Sequence, residues 1–384
     1  MTRPVRLLTL VVLLSSAGWG QVIPKLSPVF AYLCSSDFQN CPNGYFPDLY
    51  PLQIGKTSFF YAVSFYGGQG GASVGGGTIV RTNTTGLGGA VYTFQPGPQN
   101  DYPDGNHPGV AFVSGPDGNF YGITQKGGRF NWGTMFRLSP AGAVQKIYDF
   151  CSVSNCVDAG APLTLANDGN FYGIASQVFF RITTQGAWTQ IATVPVNLGL
   201  STQLIQANDG NFYGANYIQN GDGSGVAFRL SRSGQYSELH RFDPNSAPSC
   251  PLIQASDGNL YGATINLGPG TGIYRLSLSG DFQIIHQLTS EQGYNPSQIL
   301  QASDGNLWGL TGVAGGTFFR IRLDGLLLDR GFFDCKRTGC LPEQMIQASD
   351  GNFYGVATAG GSAPPNQEAL GTIFKLAAGL PRPQ

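Results

Sequence analysis

Charge is scarce in this chain. Of its 384 residues, 21 are Lys or Arg and 22 are Asp or Glu, 11% in all, for a net charge of −1. No basic stripe follows a phosphate backbone, which argues against nucleic acid, and no polybasic cluster marks an anionic membrane surface. Histidine is limited to His107, His240 and His286, all far in sequence from the cysteine pairs. Zinc spacing is therefore absent, and neither a metal nor a cofactor is expected. The Ala, Leu, Glu and Lys runs of long helices are missing. So are a Gly-x-Ser-x-Gly elbow, a zinc helix motif and a phosphate loop.

What is abundant points elsewhere. Glycine (56) and proline (24) are frequent, and aromatics make up 12% beside plentiful Thr, Val and Ile, the mark of many short strands. With 41% hydrophobic residues the chain can bury a core. Residues 1–20 read as a signal peptide: Arg3 and Arg6, an apolar run from Leu7 to Leu14, then small residues up to Gly20, with cleavage expected before Gln21. That run is too short to span a bilayer and no later segment is long enough, so a soluble domain over 21–384 is expected. Seven cysteines fit export. Cys34 and Cys41, Cys151 and Cys156, and Cys335 and Cys340 form three close pairs, expected as disulfides, with Cys250 left alone. Each bridge would close a short loop, contributing about 2 kcal/mol.

The deciding feature is an internal repeat. Asp-Gly-Asn begins at Asp117, Asp168, Asp209, Asp257, Asp304 and Asp350, in steps of 41 to 51 residues. Two hydrophobic residues follow each time, as in Phe120-Tyr121 and Leu307-Trp308, and Phe60-Tyr61 is a seventh, degenerate copy. Each unit contains four strand-like runs; in the sixth copy they are 297–302, 307–311, 317–322 and 326–333. Asp304-Gly305 joins the first two, a pair suited to a type I′ turn. Four antiparallel strands per unit at this period predict an all-β, seven-bladed β-propeller. The chain opens on a fourth strand, 25–33, and ends on a third, 372–376, so the N-terminal strand should pair into the last blade and close the ring. Adjacent apolar residues in one strand point to opposite faces, as stacked blades require.

Asp117 to Gly142 read Asp-Gly-Asn-Phe-Tyr-Gly, then Gly-Gly, then Gly-Thr-x-Phe-Arg-Leu-Ser-Pro-x-Gly. This unit resembles the GloVer tandem repeat of bacterial exported proteins. The resemblance implies a secreted or surface location, with no assigned activity.

One third-strand position is basic in every copy: Arg81, Arg137, Arg181, Arg229, Arg275, Arg320 and Lys375. Pairing with the turn aspartates is the structural reading, and a cationic ring for an anionic ligand is the functional one. Gln206, Gln254, Gln301 and Gln347 recur in the innermost strand, placed to bond one another and water around the axis. The Asp-Gly-Asn turns supply one carboxylate each, too few for calcium. Function is expected where the copies differ, in the loops of the opposite face, since a rigid scaffold carrying irregular loops is a common way to build a binding site. The candidates there are Tyr45, Tyr66, Tyr102, Asp104, His107, Phe130, Trp132, Tyr217, Asp222 and Tyr294. Exposed rings beside Asn, Asp and Gly suit an extracellular glycan or a protein partner, bound by a monomer without catalysis. The alternatives are a polysaccharide hydrolase or lyase using off-repeat acids (Asp104, Asp158, Asp222, Glu343), or a structural envelope protein.

Overall fold

A strand carrying Phe-Tyr side by side shows an aromatic ring on each face, and both faces need cover. In the computed structural model that cover comes from neighbouring sheets. The structure describes residues 24–35, 40–53, 59–68, 75–98, 101–109, 112–150, 162–175, 177–195, 198, 203–218, 224–244, 246–266, 272–312 and 315–383, without the side chains of 45, 46 and 48–53. Among the described residues, seven antiparallel sheets form a seven-bladed propeller. The sixth blade runs Pro296–Gln301, Leu307–Thr311, Thr317–Ile321 and Leu327–Phe332 from the axis outward. The seventh is Cys340–Gln347, Phe353–Ala359 and Gln367–Ala377, completed on its outside by the N-terminal strand Lys25–Ser35. Leu26 sits opposite Leu376 and Ala31 opposite Thr372, so the expected seam is formed.

The aromatic dyads stitch the blades together. Where the following blade offers a Phe, the second residue of the dyad leans on it: Tyr121 on Phe171 (4.6 Å between centroids), Tyr172 on Phe212 (4.5 Å), Trp308 on Phe353 (4.6 Å), and Tyr354 on Phe60 across the seam (4.3 Å). The glycine after each dyad makes room for a ring on the adjacent strand. Gly122 lies opposite Phe136, Gly214 opposite Phe228 and Gly309 opposite Phe319. A Cβ on these glycines would sit 2.6, 2.7 and 2.1 Å from the ring. In the first blade the glycine is Ala62, and the residue opposite is Val80 instead of an aromatic.

The Asp-Gly-Asn turn differs from expectation. Gly305 has φ 78° but Asp304 is not left-handed. Gly305 N–H donates to Ala302 O (2.9 Å) and Ala302 N–H to Asn306 O (3.0 Å). This is a type I turn followed by a left-handed glycine, not type I′. The Asp side chain is thereby freed for a second task. Its Oδ2 accepts from the dyad tyrosine, 2.7 to 2.9 Å away, in five blades, and in the sixth Trp308 Nε1 lies 3.4 Å from Asp304. Two members of the basic ring join the same network. Arg320 lies 3.3 Å from Asp304 and Lys375 3.6 Å from Asp350, each over the ring of its cross-strand aromatic. The expected pairing with the turn aspartates is thus formed by these two cations, whereas Arg137 and Arg275 bond the cross-strand Gln145 and Gln283, and Arg81 lies over the Phe59 ring.

This network has a pH signature. Burial alone would raise Asp117, Asp168, Asp209, Asp257 and Asp350, but bonds from the neighbouring Asn and Tyr outweigh it and hold all five carboxyls below their usual range. Burial, then the bond to Asp, pushes Tyr121 and Tyr213 up to about 12. A depressed acid stabilises the fold above its unfolded pKa, about 4, and that contribution goes as pH falls through the folded value. A raised tyrosine stabilises below about 10, and that contribution goes as pH climbs towards the folded value. The melting temperature should therefore hold level between these limits and fall on both sides. A flat profile down to pH about 2 would contradict the Asp–Tyr assignment.

The innermost glutamines do not bond one another. The Oε1 of Gln206, Gln254, Gln301 and Gln347 each accepts a backbone N–H from the preceding blade's turn (Asn167, Asn208, Ser256, Ser303) at 2.8 Å. Three of the amide nitrogens donate back to their own turn glycines, Gly210, Gly258 and Gly305, at 2.9 Å. Each is a clasp between neighbouring blades, because the backbone groups lie closer than the next glutamine.

Cys34 and Cys41 are bridged. Cys335 and Cys340 are not: both thiols are free, a correction to the expected third disulfide. Their loop is already closed by its backbone, with Arg337 N–H and Thr338 N–H both donating to Asp334 O at 2.9 and 2.8 Å. Burial, and then the adjacent Cys335, pushes the Cys340 thiol up to about 12, which keeps it protonated. Cys151 and Cys156 lie outside the described residues. Cys250 is buried and free, and desolvation pushes its thiol up to about 12 as well. No helix among the described residues is long and apolar enough to cross a membrane.

Candidate functional site

The turns between second and third strands, and the links from one blade to the next, all reach one face. These are the segments without repeat identity, yet a shared device holds four of them. In the second blade Thr124 and Thr134 are buried, 3.0 Å apart, and Thr134 Oγ1 donates to Asp104 O at 2.9 Å. The same hydroxyl bond runs from Thr78 to Asn43 O (2.8 Å), Thr317 to Gln292 O (2.6 Å) and Thr372 to Thr338 O (2.7 Å). In each case the next residue is a left-handed glycine, such as Gly105 (φ 98°), where a Cβ would lie 2.1 Å from Thr124 Oγ1. The loops enter the face from fixed points.

Where the first blade meets the second, this produces a cleft. The link 101–105 and the turn 127–133 are tied together: Tyr102 O accepts from Gly128 N–H at 2.7 Å and Pro103 O from Lys146 Nζ at 2.8 Å. Between them opens a cavity of about 580 Å3 lined by Asp101, Tyr102, Pro103, Gly127, Gly128, Arg129, Asn131 and Lys146. Asn131 is left-handed (φ 59°) and its Oδ1 accepts the Gly127 N–H at 3.0 Å, which shapes the turn. Arg129 lies over the Phe130 ring, 5.2 Å from its centroid. Trp132, in the same turn, is 42% exposed.

The sequence candidates divide between this corner and elsewhere. Tyr66, Tyr102, Asp104, His107, Phe130 and Trp132 all belong to the first two blades. His107 is a pin: left-handed (φ 53°), its ring stacks on Phe65 (4.6 Å, 1° between planes) and meets the edge of Tyr66 at 5.2 Å. Burial, then the charge of Lys126, lowers its pKa below the ordinary imidazole value. Asp104 is also engaged, its Oδ2 accepting from Tyr92 at 3.2 Å. Tyr45 pairs opposite Tyr66 through the backbone, and its side chain lies outside the description. Tyr217 and Tyr294 are in the fourth and sixth blades, 45% and 40% exposed, apart from the cleft lining. Asp222 and Asp158 lie outside the described residues. Glu343 is on the innermost strand of the seventh blade, where burial raises its pKa. Sequence reading missed Asp101, Arg129, Asn131 and Lys146; for the first three the signal was there in the off-repeat segments 101–107 and 126–133, of which only Tyr102, Asp104, His107, Phe130 and Trp132 were selected, while Lys146 lies on the fourth strand Val144–Asp149.

Residues 178–316 match the Gloeobacter/Verrucomicrobia repeat family. No curated protein matches the chain in sequence. Among solved structures, a catalytically inactive virginiamycin B lyase from Staphylococcus aureus, with quinupristin, is similar at TM-score 0.62 and 14% identity, over 92% of this chain and 99% of that one. A streptogramin B lyase is similar at 0.60 and 14%, over 90% and 97%. The extracellular domain of a hybrid two-component system from B. thetaiotaomicron gives 0.59 and 11%, over 92% of this chain and 39% of that one. At these identities the likeness establishes the propeller.

Proposed function

We propose that this chain is an exported, non-catalytic binding propeller that recognises an extracellular glycan or protein through its variable-loop face. The observation that carries this reading is the cleft between the first two blades, on loops fixed by buried hydroxyls, one of those loops also carrying the exposed Trp132. A preformed concave site with a flat apolar neighbour and a few aimed polar groups is built for recognition. Export is supported by the Cys34–Cys41 bridge, which fits an oxidising compartment. Glycoside hydrolysis ordinarily needs a pair of carboxyl groups flanking one bond, and among the described residues the cleft lining carries a single one, Asp101.

The test is a glycan array and a panel of purified extracellular proteins, probed with the chain 21–384 and with Trp132→Ala and Tyr102→Ala. Each substitution should weaken binding by about tenfold or more while the melting temperature holds. Binding indifferent to both variants, or turnover of a bound glycan, would defeat this reading.

A further inference from the structure

We infer that the cleft takes a neutral sugar residue of a glycan chain, held between Asp101 and Arg129, an assignment that rests on the binding role proposed above. At about 580 Å3 the cavity falls in the size range of small-ligand sites, about 300–1,000 Å3. A protein partner typically needs about 800 Å2 of surface on each side, which a cleft of this size does not offer. The choice among sugars follows from charge. Lys146 is already committed, with Asp149 at 3.0 Å and Pro103 O at 2.8 Å. Arg129 and Asp101 form no ion pair among the described residues. What faces the ligand is therefore one guanidinium and one carboxylate, summing to zero.

These two groups have opposite needs. A guanidinium only donates hydrogen bonds and an ionised carboxylate only accepts them. A sugar hydroxyl does both, so a run of hydroxyls satisfies both walls at once. A uronate would satisfy Arg129 while bringing like charge to Asp101, and an amino sugar would do the reverse. Tyr102 supplies a flat wall for the C–H face of the ring, and Gly127 and Gly128 keep side chains off their part of the lining.

Titration calorimetry with cellohexaose, xylohexaose and mannohexaose, against polygalacturonate, chitosan oligomers and a short-peptide panel, tests this. At least one neutral oligosaccharide should bind, and Arg129→Ala and Asp101→Asn should each weaken it about tenfold or more. Asp101→Asn should at the same time improve polygalacturonate relative to the neutral ligand. The assignment is overturned if a charged polymer or a peptide binds better than every neutral oligosaccharide, or if neither variant weakens neutral binding. The two claims fail separately. Binding lost in Trp132→Ala and Tyr102→Ala yet indifferent to Arg129 and Asp101 sinks only the sugar assignment. Binding that ignores all four residues sinks the proposed function with it. Unchanged melting temperatures confirm that the variants are folded.

Discussion

A chain beginning at residue 40, with Cys41→Ser to leave no orphan thiol, should lose most of the stability of the chain 21–384 and its single cooperative transition. The strand Lys25–Ser35 is the outer strand of the seventh blade, and its removal opens the ring. Tyr32 is fully buried in a cluster with Ala62 and Val80 of the first blade and Val356 and Ile373 of the seventh. Deleting a buried aromatic of this size costs about 3–5 kcal/mol. The Cys34–Cys41 bridge, which ties this strand to the innermost strand of the first blade, contributes about 2 kcal/mol more. Together these approach the 5–15 kcal/mol that typically separates folded from unfolded domains. The strand Gln367–Ala377 would also become an unpaired edge, inviting aggregation. Urea unfolding and size-exclusion chromatography give the result directly. Cys34→Ser alone should cost only the smaller, covalent part. A truncated chain that unfolds cooperatively, at a midpoint close to that of the chain 21–384, would mean the ring is not held by this strand.

How much of this was legible beforehand depended on repetition. Blade number, strand number and the seam could be read because the apolar dyad recurs in all seven copies and the Asp-Gly-Asn turn in six, so a departure in one copy is corrected by the others. Details that turn on which atom lies nearest were not legible. The glutamines looked like tunnel lining because spacing says which strand they occupy, not that the turn of the preceding blade brings an N–H to 2.8 Å of Gln254 Oε1. The turn type was misjudged because Asp-Gly favours type I′ in a two-residue loop, whereas here the turn begins at Ala302 and needs only Gly305 left-handed. The cleft is the extreme case. Its walls come from the segments 101–103 and 127–131 with Lys146, joined by bonds such as Gly128 N–H to Tyr102 O, and only the Gly127-Gly128 pair has counterparts in other copies. The threonine anchors under the loops carried a weak signal, a Thr near the start of the third strand, but their partner is a backbone carbonyl that no residue type announces.

The glycine after the aromatic dyad is where sequence repetition and packing meet most directly, and it yields the second large expected effect. Gly309→Ala would place a methyl 2.1 Å from Phe319 Cζ, with Cε2 and Cε1 at 2.6 and 2.7 Å. The ring is fully buried and cannot swing clear. Overpacking of this kind costs about 1–3 kcal/mol, and with three ring atoms in the way the upper end applies. Phe319→Val alone leaves a cavity and should cost about 2 kcal/mol. The first blade already contains the combination: Ala62 opposite Val80, both fully buried. Gly309→Ala with Phe319→Val should therefore cost clearly less than the two single changes summed, with a coupling of about 2 kcal/mol in a double-mutant cycle from urea midpoints. The sixth blade would be converted to the pairing that the first blade uses. Additivity within about 0.5 kcal/mol would show that ring and glycine are not the packing pair they are taken to be, and that the first blade reached Ala and Val for unrelated reasons.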